Sequence, residues 1–117
     1  MKIRFFMDES ASVSTPSCST DMVGADGVDL LACLLIDDGG VPFNKTISWL
    51  DEGVNKLLAV RRGEEVFAEW ARDAWGANIS KSGAKIYSLY DEDFSVTISL
   101  GDFEKALQGW KDFLVSL

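Results

Sequence analysis

The chain has 117 residues, 47% of them hydrophobic and 26% charged, with a formal net charge of −8 and no histidine. This length predicts one domain, residues 1–117, with enough apolar surface for an ordinary core, and the composition argues against a disordered chain. The negative sign argues against nucleic acid and anionic membrane as partners, since both need Lys and Arg to displace counterions; the absent histidine removes Ser-His-Asp and Cys-His catalysis and every His-containing zinc site.

In chain order, residues 2–7 (Lys-Ile-Arg-Phe-Phe-Met) are rich in β-formers and predict a strand. The start is too briefly apolar, and closed too soon by Asp8 and Glu9, for a signal peptide. Residues 10–20 hold seven hydroxyl side chains with Pro16 and Cys18, follow no period, and predict a loop. Val28 to Ile36, a short apolar run between Asp26-Gly27 and Asp37-Asp38-Gly39-Gly40, predicts a buried second strand. Ile47, Leu50, Val54, Leu57, Leu58 and Arg61 share one helical face, so residues 47–61 predict a helix. Ser48 and Asp51 resemble a capping box at its start; Arg61, Arg62 and Gly63 suit its end.

Residues 64–75 read two ways. Phe67, Trp70, Ala71, Ala74 and Trp75 line a helix ended by Gly76, or Glu65 to Ala71 forms a strand, and propensity favours the helix. Residues 84–90 and 94–98 predict a strand pair, with Phe94, Val96 and Ile98 on one face and Ser95 and Thr97 on the other, joined by Asp91-Glu92-Asp93 as a tight acidic hairpin. Ser99, three residues before Asp102, predicts the cap of a last helix whose stripe is Leu100, Phe103, Leu107, Trp110, Phe113, Leu114 and Leu117. The fold class expected is α+β: a mostly antiparallel sheet of four or five strands packed on two main helices, about 47–61 and 101–116.

The charge is segregated. Residues 5–44 contain seven acids and no base, for −7; residues 45–89 total +1; residues 90–117 total −4. A one-signed surface steers an oppositely charged partner, so a basic protein is the natural complement. The candidate partner-binding residues are Asp91, Glu92 and Asp93 on the hairpin and Asp26, Asp29, Asp37 and Asp38 at the ends of the second strand. No catalytic residue, metal ligand or cofactor is predicted: the three adjacent acids alternate across a turn, and Asp37-Asp38-Gly39-Gly40 lacks the donor spacing of a calcium loop. Cys18 and Cys33 read as reduced thiols of a cytoplasmic protein. Trp110 reads as core, and Trp49, off the main stripe of its helix, reads as partly exposed.

One resemblance adds to this. Gly63-Glu-Glu-Val-Phe-Ala-Glu-Trp70 is followed by Asp73-Ala-Trp75-Gly76, then Lys85-Ile-Tyr-Ser-Leu-Tyr-Asp-Glu92, then Ile98-Ser99 with Phe103, Leu107, Trp110 and Phe113-Leu114. This half of the chain resembles small immunity proteins of bacterial polymorphic-toxin systems, including contact-dependent growth inhibition. The resemblance implies a cytoplasmic protein that binds and neutralises one cognate toxin domain, often a nuclease; a monomer or weak homodimer is expected. It also implies a strand at 65–71 paired with 84–90, which decides that segment against propensity. It carries no site residue. Two other functions stay open: an adaptor or structural subunit that binds through an apolar patch, and a carboxylate-dependent enzyme using Tyr87 or Tyr90.

Overall fold

The computed structural model describes residues 1–24 and 26–117. Within them the order is β1 (Ile3–Asp8), β2 (Thr15–Thr20), α1 (Leu30–Ile36), α2 (Ile47–Arg61), β3 (Phe67–Ala71), β4 (Trp75–Ser80), β5 (Gly83–Ser88), β6 (Asp91–Ile98) and α3 (Leu100–Val115). β1 and β2 form an antiparallel hairpin, and β3-β4-β5-β6 form an antiparallel meander. α1 and α3 lie between them, α1 packing on β2 and on β4 and β5, α3 on β1 and β5, while α2 packs on β3 and β4 and beside α3. The fold is therefore α+β, with the four-stranded sheet covered on one face. It exposes 6445 Å², against roughly 6,300 Å² for a compact chain of this mass.

Sheet register follows from alternation. Trp70, Ala77 and Ile86 pair across three strands, as do Ala68, Ile79 and Ala84, and these rows face the helices. Val96 and Ile98 extend them onto β6 while Ser95 and Thr97 pair with Tyr87 and Lys85 on the other face. α2 begins and ends where its apolar spacing places it. Its Gly53 sits beneath Trp70, so closely that a Cβ would lie 2.8 Å from the indole. Gly63, at φ +78°, ends the helix in the left-handed conformation that glycine adopts without strain. Ser99 Oγ accepts the Asp102 N–H at 3.1 Å and caps α3. Phe103, Ala106, Leu107, Trp110 and Leu114 bury its inner stripe, while Leu117 lies exposed beyond the helix end.

Several expectations are overturned. Residues 28–36 are not a strand but contain α1. Asp29 caps that helix by accepting the Ala32 N–H, and Leu and Ala are strong helix formers. The run shows no period because α1 is sandwiched between two sheets and buried on most sides. Residues 15–20 are not loop; Thr15 to Thr20 pair with Asp8 to Ile3. Pro16, which donates no N–H, is tolerated because every strand of a two-stranded sheet has a free edge.

β4 was not expected at all. Gly76 is a strand residue there, lying under Tyr87 and Leu89, whose side chains come within 3.0–3.2 Å of where its Cβ would be. β4 also separates β3 from β5, so the strand at 67–71 pairs with 75–80 rather than with 84–90. The β5–β6 turn is Leu89-Tyr90; Asp91, Glu92 and Asp93 open β6 instead of forming the turn. Ser48 does not cap α2. Thr46 occupies the cap position, and its hydroxyl donates to Phe43 O to close the preceding 3-10 turn. Asp51 forms an ion pair with Lys111 of α3.

Candidate functional site

In a meander, alternate turns lie at the same end of the sheet. The β3–β4 turn (residues 72–74) and the β5–β6 turn therefore share an end, and the Leu89 N–H donates to Ala74 O at 3.0 Å across it. The C-terminus of α1 meets the same end. Asp37 Oδ2 accepts the N–H groups of Ala74 and Trp75 at 2.7 and 3.2 Å. The Arg72 side chain donates from NH2 to Asp37 O at 2.6 Å. Gly39, at φ +60°, packs on the Asp73 side chain, where a Cβ would stand 3.4 Å from the Asp73 Cβ.

Two acidic segments more than fifty residues apart in sequence thus meet around one turn. Asp38, Asp73, Asp91, Glu92 and Asp93 are all exposed there. Asp38 holds the Gly40 N–H at 2.8 Å and Asp91 the Asp93 N–H at 3.1 Å, bonds that shape their own turns. Trp49 of α2, 40% exposed, lines a shallow cleft at this end with Gly39, Glu52 and Asp73. Asp73 is the acid that sequence reasoning missed. Its signal was only its place in a turn, and nothing in one sequence links that turn to Asp38.

The other named acids lie elsewhere. Asp29 is at the opposite end of α1, about 10 Å away along a seven-residue helix. It is half-buried, and its carboxylate accepts from Thr20 N at 2.6 Å, Thr20 Oγ1 at 2.7 Å and Ala32 N at 3.1 Å. Asp26 is exposed near it and holds the Val28 N–H at 3.2 Å. Asp37 is part-buried beneath the turn it clamps.

Arg72 is the one buried charged residue of this region. Its guanidinium stands 5.1 Å from the centre of the Trp70 ring and 6.0 Å from that of Trp49. Burial pushes its pKa down to about 10, opposed by the nearby charges of Asp37 and Asp38, so it stays cationic at neutral pH. Tyr87 is raised by burial first and then by Glu69 and Glu92. That keeps its phenol protonated and makes it a poor base. Cys18 and Cys33 are free thiols, and burial lifts both pKa values, with Asp29 adding to each. Among the described residues, no three His, Cys, Asp or Glu side chains come together to hold a metal ion. No helix described is long and apolar enough to cross a membrane.

Comparison with protein-family models, with curated proteins and with solved structures found no match to this chain.

Proposed function

We propose that this protein is an immunity-type inhibitor. It binds and neutralises a cognate bacterial toxin domain, with a basic, nuclease-like cleft as the target, and makes no bond itself. One observation carries this reading: Asp38, Asp73, Asp91, Glu92 and Asp93, from three separate segments, are exposed together around the β3–β4 turn. Converging carboxylates offer a basic cleft what a phosphate backbone offers it, and long-range attraction speeds their encounter. Trp49 beside them supplies an amphipathic anchor of the kind that concentrates binding energy. On this reading Asp91, Glu92, Asp93 and Asp38 contact the partner. Asp29 and Asp37 hold the fold that presents them, and Asp26 contributes field from the far end of α1. The protein acts in the cytoplasm, where its target would act, and needs no cofactor.

The test is co-expression with the toxic C-terminal domain of a large secreted protein encoded beside it. The wild-type chain restores growth and binds the purified domain with an association rate that falls steeply as salt rises. Reversing Asp38 and Asp73 together with Asp91, Glu92 and Asp93 to Lys slows association and flattens that salt dependence. Unchanged affinity after all five reversals would remove the acidic end from the interface.

A second reading has its own observation. Val66, 90% exposed and just before the edge strand β3, and Phe67, 48% exposed at its first position, form an apolar pair, which suits an adaptor that binds by hydrophobic contact. Binding that survives high salt but is lost on substituting both by Ser would favour it over the electrostatic reading.

A further inference from the structure

β3 is an outer strand of the meander, so one of its edges has no neighbouring strand. The Arg72 N–H donates to Trp75 O at 2.7 Å, and bonded and non-bonded pairs alternate along an antiparallel ladder. Ala68 and Trp70, set against Ile79 and Ala77, therefore spend their backbone groups on β4. Phe67, Glu69 and Ala71 turn their N–H and C=O groups to the free edge, and all three residues are exposed. One contact reports that direction: Lys56 of α2 reaches over to donate its ammonium to Glu69 O at 2.6 Å. Among the described residues, no backbone group bonds to these three on that side.

A row of unpaired strand groups is a template for another strand, and folded proteins normally blunt it. Here β6 is blunted by its register shift against β5 and its three opening acids, and β2 by Pro16. β3 has neither device. It keeps register with β4 from Phe67 to Ala71 and contains no proline. Beside it lies room for a strand: a groove of about 580 Å³ runs between α2 and β3, with Asp51, Glu52, Lys56, Glu65 and Glu69 in its walls. The cleft at Trp49 shares Glu52 with this groove and carries the opening past Ala71 to Asp73.

Charge selects the strand that fits. The groove walls hold four acids and one base, and Glu65 and Glu69 take part in none of the ion pairs among the described residues. Opposite charges across a strand pair stabilise it, and like charges directly opposite destabilise it. A second copy of this chain would bring the same acids to the contact, and a net charge of −8 with them. We infer that the free edge of β3 docks an extended basic segment of another protein, which joins the sheet as a fifth strand. Main-chain bonds to Phe67, Glu69 and Ala71 hold the segment, its Lys or Arg side chains meet Glu65 and Glu69, and an apolar side chain packs on Phe67. Lys56 yields Glu69 O to the incoming N–H. The inference rests on neither partner reading above, and loss of toxin neutralisation leaves it standing.

The experiment is a titration of the full chain, ¹⁵N-labelled, with the peptide acetyl-Lys-Val-Lys-Val-Lys-Val-Lys-amide. The Phe67, Glu69 and Ala71 amide signals should shift saturably, and their hydrogen exchange should slow, while exchange at Ala68 and Trp70 stays as it was. The same peptide N-methylated throughout keeps its charge but donates no main-chain bond, and should bind about tenfold more weakly. The peptide with Glu in place of Lys should not bind. Ala71→Pro removes one outward N–H, keeps every charge and should weaken binding about tenfold. Should that variant fail to fold, Lys56→Met, which uncovers Glu69 O and removes the groove's one base, should tighten binding severalfold. No saturable shift along β3, equal affinity for the N-methylated peptide, or affinity unchanged in both variants would overturn the inference. Protection of the same three N–H groups that grows with protein concentration in the absence of peptide would also overturn it, by assigning the edge to a second copy of this chain.

Discussion

The two acidic blocks of this chain carry the same kind of charge and spend it differently. In the first, residues 5–44, carboxylates mostly accept backbone N–H groups. Asp8 takes Ser10, Asp21 takes Lys2, Asp26 takes Val28, Asp29 takes Thr20 and Ala32, and Asp37 takes Ala74 and Trp75. These acids replace regular secondary structure in a region built from a short hairpin, a seven-residue helix and long connections. In the second, residues 91–93, Asp91 closes one local turn while Glu92 and Asp93 stand exposed where β6 bulges out of register with β5. Segregated charge in a sequence therefore overstates free anionic surface. Where regular structure is sparse, carboxylates are taken up by backbone N–H groups, and Asp29 and Asp37 are drawn partly inward by them.

That contrast can be broken by experiment. The largest effect should come from Asp29→Ala, which strands Thr20 N, Thr20 Oγ1 and Ala32 N and uncaps α1 where it meets β2. Urea unfolding should show a loss of about 2–4 kcal/mol, and a loss under 1 kcal/mol would mean the bonds at Asp29 do not hold the helix to the hairpin. Next is Asp37→Ala, which frees two N–H groups of the β3–β4 turn and should cost about 2–3 kcal/mol. Asp37→Asn keeps an acceptor oxygen and should recover part of it. Substituting Asp91, Glu92 and Asp93 together by Lys should leave stability within about 0.5 kcal/mol while changing partner association. A large loss of stability would place the second block in the same structural role as the first.

The smallest effect reports on which way Asp29 faces. Burial, then Asp29, then Cys33 push the Cys18 thiol from 9.0 up to about 12. Because the folded pKa is the higher one, this thiol contributes stability that is full below the unfolded value near 9 and is lost as pH rises through about 12. At pH 8, iodoacetamide should modify Cys33, which is only partly buried, before Cys18. Asp29→Asn should speed Cys18 alkylation modestly. An unchanged rate in a folded variant would show that the Asp29 charge is not felt at the thiol.

α2, α3 and much of the β5–β6 pair were legible from their residues because these elements present one buried and one more exposed side. α2 and α3 show one apolar stripe, and β6 alternates, so period and environment coincide. Ser99 announced the start of α3 because a capping hydroxyl acts within three residues. The N-terminal half hid its structure for the opposite reason. α1 is wrapped on most sides, so its apolar run carries no period, and β2 is a strand only because β1 lies beside it. β4 is built of Gly, Ala and Asn, poor strand formers that serve because the strand is central and Tyr87 needs room over Gly76.

Sequence alone determined the α+β class, the positions of α2 and α3, most of β5 and the second half of β6, the sign of the field and the absence of histidine chemistry, because each follows from local periodicity or from composition. Tertiary structure decided which carboxylates face solvent, that Asp38 and Asp73 stand near Asp91, and that the outer edge of β3 lies unpaired beside an acidic groove. Those facts depend on which backbone N–H groups remain unpaired after the chain folds, a property of the packed molecule that no stretch of sequence contains.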